Sequence, residues 1–88
     1  MARVRLPTVL RPLAGGVTTI PIQASRLDAL PAELRASQPK LAERVLAGDS
    51  FSEFVSVFVD GEDARYLGAE IALGEATEVT LLPAISGG

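Results

Sequence analysis

The run Phe54-Val55-Ser56-Val57-Phe58-Val59 restricts what this chain can fold into more than any other stretch. β-branched valines at every second position are stiff in a helix and pack well on a pleated surface, so the run reads as a strand. Successive side chains of a strand point to opposite faces, which puts Val55, Val57 and Val59 on one side and Phe54, Ser56 and Phe58 on the other. Asp60-Gly61 follows at once as a two-residue hairpin signal, with Ala64 to Leu67 as a short return strand. The valine face needs an apolar cover supplied from elsewhere in the chain.

That cover is the stretch from Ser25 to Gln38, where Leu27, Leu30 and Leu34 recur at helical spacing. Pro31 in a helix interior would remove a hydrogen bond and clash with the carbonyl four residues back. The regular helix is therefore expected to start near Asp28 or Ala29, which leaves Pro31 in the first turn, where its missing amide has no partner to lose. Pro39 is expected to end it, and Leu41 to Leu46 to form a second short turn of helix stopped by Gly48.

The remaining strands flank this core. Ala2 to Leu10 alternates, with Val4 and Leu6 on one face and Arg3 and Arg5 on the other. After the Leu10 to Gly16 loop, Val17 to Ile22 reads as its antiparallel partner. Gly15-Gly16 is a turn and not a phosphate loop, because a strand and not a helix follows it. Glu70 to Ala76 has no clear periodicity, and Val79 to Pro83 is a closing strand that a proline terminates. The order strand, strand, helix, strand, short strand, strand implies an α+β domain. Its mixed sheet of four to five strands has one main helix and one short helix packed on one face, and the first and last strands can lie parallel and adjacent in the centre.

Composition narrows the chemistry. The 88 residues are expected to make one domain with a small aliphatic core and no room for a buried catalytic cleft. There is no cysteine and no histidine, which removes thiolate nucleophiles, thiolate metal sites and the side chain that normally titrates near neutrality. No metal site and no bound cofactor is expected. Asp60, Glu62 and Asp63 lack calcium-loop spacing and read as a solvated turn in which Arg65 pairs locally. The net charge of −3, with no aromatic residues among Arg3, Arg5 and Arg11, argues against a nucleic-acid partner. No run is long enough to span a bilayer and no signal segment precedes the first strand, so no membrane partner and a cytoplasmic location are expected.

The sequence ends in Pro83-Ala84-Ile85-Ser86-Gly87-Gly88. Without a Cβ, a Gly-Gly segment fits a channel too narrow for side chains. A domain over residues 1–83 with a flexible tail over residues 84–88 is the expected organisation, the tail being a segment for insertion into another protein. Alternation sends Val79 and Leu81 inward and leaves Leu82 outside with Phe58. That pair is an expected docking patch, with Arg5 as its polar rim.

Strand order, length and the ending Leu82-Pro83-Ala84-Ile85-Ser86-Gly87-Gly88 resemble the MoaD/ThiS family of ubiquitin-like β-grasp sulfur carriers over nearly the whole chain. Pro7-Thr8-Val9-Leu10-Arg11-Pro12 with Gly15-Gly16, Phe54-Val55 through Val59, Glu62-Asp63-Ala64-Arg65 and Leu82-Pro83-Ala84 are most similar to the CysO-type carriers of cysteine biosynthesis. Pro31 departs from the uninterrupted helix of that family, and Gly74-Glu75-Ala76 from its usual Asp-Gly pair. The resemblance implies a carrier, not an enzyme. An E1-like activating enzyme of the MoeB/ThiF type would adenylate the Gly88 carboxylate with ATP, and a thiocarboxylate would form there, with Gly87, Ser86 and Ile85 as the tail. It also implies a sulfur-acceptor enzyme such as a cysteine synthase, and a metalloprotease that releases the product. The alternatives it leaves open are a MoaD-like small subunit of molybdopterin synthase, a carrier for thiamin or another thio-metabolite, and a ubiquitin-like protein modifier.

Overall fold

A computed structural model describes residues 1–68 and 70–83. The tail expected over residues 84–88 lies outside the described residues. Seven strands form: β1 (Arg3–Arg5), β2 (Thr19–Pro21), β3 (Leu46–Ala47), β4 (Ser50–Phe51), β5 (Val55–Val59), β6 (Glu62–Asp63) and β7 (Glu78–Pro83). Five of them make a mixed sheet in the order β2-β1-β7-β5-β6, while β3 and β4 form a separate small hairpin. The closing strand β7 lies in the middle. It runs parallel to β1, with Val4 opposite Val79, and antiparallel to β5, with Val57 opposite Leu81.

The valine alternation holds across the sheet. Val4, Ile20, Val55, Val57, Val59, Val79 and Leu81 are all buried on one face. Helices α1 (Leu30–Ser37) and α2 (Pro39–Val45) contribute Leu30, Leu34, Leu41, Ala42 and Val45 to the same core cluster, together with Leu27 from the turn before α1. The expected α+β layout with one covered face is the one observed.

Several boundaries differ from the sequence reading, each for a local reason. β1 and β2 are shorter than expected, although backbone bonds from Leu6 to Thr18 and from Ile22 to Ala2 extend the pairing by one residue at each end. The loop between them coils into a 3-10 turn over Arg11–Ala14, closed by Gly15 at φ 74°. Pro21 is tolerated because β2 is an edge strand, where one side of the ladder needs no donor. A 3-10 turn over Leu27–Ala29 precedes α1, so Pro31 sits at its second position, inside the first turn as expected.

Pro39 does more than end α1: it opens α2 as its first residue, where a fixed φ suits a helix start. Gly48 does not stop that helix. α2 has already passed into extended backbone at Leu46, and Gly48, at φ 66°, makes the turn of the β3–β4 hairpin that the sequence reading missed. The return strand is also displaced, from Ala64–Leu67 to Glu62–Asp63. The tight turn at Asp60 (φ 50°) and Gly61 (φ 87°) starts the return immediately. Asp63 then ends it, because its carboxylate accepts the Arg65 N–H and caps a 3-10 turn over Ala64–Tyr66.

One side chain ties the helix layer to the sheet. The Glu33 carboxylate of α1 accepts backbone N–H bonds from Gln23 (2.8 Å) and Ala24 (2.7 Å), just after β2. These donors lie beyond the ladder and have no strand partner. Replacing Glu33 by alanine should lower stability by about 1–2 kcal/mol, the cost of losing two charge-assisted bonds and orphaning the partly buried Ala24 donor. A denaturant melt measures this, and the loss should far exceed that of the exposed change Glu43→Ala.

Candidate functional site

The residues expected from sequence to form a docking patch lie on the face of the sheet opposite the helices. In β5, Ser56 is exposed and Phe58 half-buried, while in β7 Leu82 is 42% exposed. Register brings them together. Ser56 lies opposite Leu82 and Phe58 opposite Thr80, so the two large apolar side chains are diagonal neighbours on adjacent strands. Arg5 of β1 is exposed and lies opposite Thr80 on the other side of β7. Arg5, Thr80, Phe58 and Asp63 therefore form one row across four strands.

Charges on this face are held locally. Arg3 pairs with Glu78 at 3.2 Å, in directly opposed positions of β1 and β7. Arg65 donates from Nη2 (2.8 Å) and Nε (3.2 Å) to the Asp63 carboxylate. The Arg65 hydrogen bonds hold the Asp63 carboxyl below its ordinary value of 3.8 and raise Arg65 in turn. Asp60, at the hairpin tip, accepts the Glu78 N–H (2.9 Å) on Oδ1. Asp60 and Asp63 are thus occupied with backbone and arginine bonds, and no cluster suited to a metal ion is present among the described residues.

Beside β5, where β6 stops short, a groove of about 400 Å3 has Leu27, Phe51, Val55, Val57 and Ala64 among its lining. Ser52, Glu53, Ser56, Asp63 and Arg65 supply its polar lining, which contains no activated nucleophile. Ile85, Ser86, Gly87 and Gly88, the tail positions singled out from sequence, lie outside the described residues. The described end of β7, Pro83, lies opposite Val55 at the same end of the patch as Leu82. Sequence reasoning gave Arg3 no role in the patch. Its parity with Arg5 was the signal that it shares the patch face, as the register shows. No described helix is long and apolar enough to cross a membrane.

A family model described as the ThiS family matches residues 4–88. The chain belongs to the ThiS family. Among curated relatives, the sulfur carrier protein CysO of Mycobacterium tuberculosis (strain H37Rv) is 34% identical over 89 residues, covering 97% of this chain and 96% of that protein. The crystal structure of M. tuberculosis CysO matches with a TM-score of 0.81 at 30% identity, over 97% of this chain and 100% of that one. A chain from the Amycolatopsis orientalis BexX/CysO complex gives 0.84 at 25% identity, with 100% of both covered. Small archaeal modifier protein 1 of Methanosarcina acetivorans gives 0.83 at 25%, over 99% and 95%. The fold is therefore the ubiquitin-like β-grasp, matching the CysO and small archaeal modifier protein 1 structures.

The two faces should respond differently to truncation. Val57→Ala opens a cavity in the core and should cost about 2 kcal/mol or more, whereas Phe58→Ala on the half-exposed face should cost clearly less. Paired denaturant melts check this ordering. The Asp63 cap gives a pH signature. Because its folded-state value is depressed, its contribution is present above the ordinary aspartate range and is lost as pH falls through the depressed value. Asp63→Asn should flatten that acid limb of the melting curve.

Proposed function

We propose that this ThiS-family chain is a sulfur carrier of the CysO type, acting as a co-substrate of partner enzymes and not as an enzyme itself. The observation that carries this reading is the 34% identity to CysO over 97% of the chain, with the family match running through Gly88. In this reading residues 1–83 are the docking domain and residues 84–88 the delivery segment, working in the cytoplasm.

The chemistry follows from the weakness of a carboxylate as an electrophile. A Gly88 carboxylate oxygen attacks the α-phosphorus of ATP in an E1-like enzyme of the MoeB/ThiF type, forming the acyl-adenylate and releasing pyrophosphate. A sulfide-level nucleophile then adds to the activated carbonyl and expels AMP, leaving a thiocarboxylate with no net oxidation or reduction of the carrier. The thiocarboxylate sulfur attacks an electrophilic carbon held by a sulfur-acceptor enzyme such as a cysteine synthase, joining it to the Gly88 carbonyl. Hydrolysis of that acyl link in a metalloprotease frees the product, with cysteine as the intended metabolite, and restores the Gly88 carboxylate. Phe58, Leu82 and Arg5 form the docking face, while Gly87, Ser86 and Ile85 thread the partner's channel. The carrier supplies no acid, base, metal or bound cofactor in this scheme.

The likeness to small archaeal modifier protein 1, with a TM-score of 0.83, favours one second reading, in which a lysine amine attacks the same activated terminus. Lys40 is the single lysine of this chain, so self-conjugation would give one linkage type.

Intact mass after incubation with ATP, sulfide and the activating enzyme of the same organism separates the two. Replacement of one oxygen by sulfur is the expected result, and deletion of Gly88 should abolish it without moving the thermal melt. Normal loading of the truncated chain would sink the carrier reading, and a ladder of conjugates in lysate would favour the modifier.

A further inference from the structure

The ion pairs of the outer sheet face are asymmetric in what they show to solvent. In the Arg3–Glu78 pair the guanidinium side chain is 46% exposed and the carboxylate side chain 28%. In the Arg65–Asp63 pair the contrast is larger, at 79% against 15%. Each carboxylate side chain is less exposed than the arginine it pairs with, and Asp63 also accepts the Arg65 N–H. Arg5 is exposed and enters no salt bridge among the described residues.

These arginines sit on both sides of the apolar patch. Arg3 and Arg5 lie on β1, Phe58 and Leu82 on β5 and β7 between, and Arg65 in the turn that follows β6 beyond. The nearby Asp60 carboxylate is directed at the Glu78 N–H, and Glu62 stands opposite the inward-facing Val59, on the other side of the sheet. A partner approaching this face therefore meets guanidinium groups around an apolar centre, on a chain whose net charge is −3. Guanidinium forks bind carboxylates in planar, bidentate fashion and keep their charge at any working pH.

We infer that the outer sheet face is a cationic frame around an apolar centre, and that it fits a protein partner presenting carboxylates around an apolar recess. This rests on the docking role proposed above for that face, and adds the sign of the partner's charge together with Arg3 and Arg65. An apolar centre with a charged rim suits a protein surface, in which rim charges set encounter rate and register while the buried centre holds the complex. A nucleic acid is disfavoured by the net charge of −3 and by the Glu78 and Asp63 carboxylates within the same frame.

The charge of the face is testable without any partner. Amide relaxation in a 15N-labelled chain is compared with an anionic and with a cationic nitroxide as co-solute. The amides of Arg5, Ser56, Phe58 and Leu82 should relax faster with the anionic probe, and stronger relaxation by the cationic probe would overturn the inference. The second arm titrates the chain against the E1-like enzyme of the same organism. Affinity should fall about tenfold or more between about 0.05 M and about 0.5 M NaCl. Arg5→Glu and Arg65→Glu should each weaken binding several-fold at low salt and little at high salt, with Arg5→Lys weakened less than Arg5→Glu and the Arg5 variants melting near wild type.

Salt-insensitive binding that survives Arg5→Glu but not Phe58→Ala overturns the cationic frame and leaves docking intact. Wild-type binding unaffected by Phe58→Ala and Leu82→Ala, or no binding at all, overturns the docking role itself. Tighter binding of a single-stranded oligonucleotide than of the enzyme overturns the choice of a protein partner.

Discussion

The structure depends on the parallel pairing of β1 with β7. Arg3 and Glu78 are 75 positions apart in sequence, yet they face one another across that pair. A parallel pair cannot be joined by a tight turn, so the intervening chain must leave the sheet, cross one face and return. The crossing chain is α1 and α2, and they bury the valine face. β7 then has a neighbour on each side and is the strand on which the two halves of the sheet join. Everything that reaches the outer face, Phe58 and Leu82 included, has its position set by register to β7.

Much of this was legible because the side-chain pattern repeats the physics of burial. The alternation in Val55 to Val59, in Arg3 to Leu6 and in Val79 to Leu82 sorts inward from outward residues with no further information, and burial follows it residue by residue. Leu27, Leu30 and Leu34 likewise marked the covering helix. What escaped was decided by single bonds instead of periodicity. A cap on Asp63 cut the return strand to two residues, and a left-handed Gly48 turned the chain into the β3–β4 hairpin where a helix stop was expected. Neither event leaves a pattern longer than two or three residues.

The outer face divides in the same way. Its apolar centre could be read from parity, because one residue in two must point away from the core. Its charged frame could not, since which member of an ion pair is recessed depends on the reach of the side chain and on backbone donors close by. Asp63 is short and held by the Arg65 amide, so it is the less exposed partner and the longer Arg65 the more exposed one. In sequence the two are opposite charges that cancel. Family membership reaches Gly88 through the match to residues 4–88, a statement about sequence likeness that the geometry of β7 complements by showing which end of the sheet Pro83 occupies.

The central place of β7 has a consequence for how the chain is made. Translation delivers this strand after every other element of the sheet, so β1 and β5 wait on the ribosome with the position between them empty. Domains whose contacts are this distant in sequence fold slowly, and this one cannot begin its final sheet until synthesis has passed residue 83. A chain released early lacks the strand that joins both halves, and would be an unfolded substrate for proteases. Chains that stop short of this strand therefore expose the apolar faces that it would have joined.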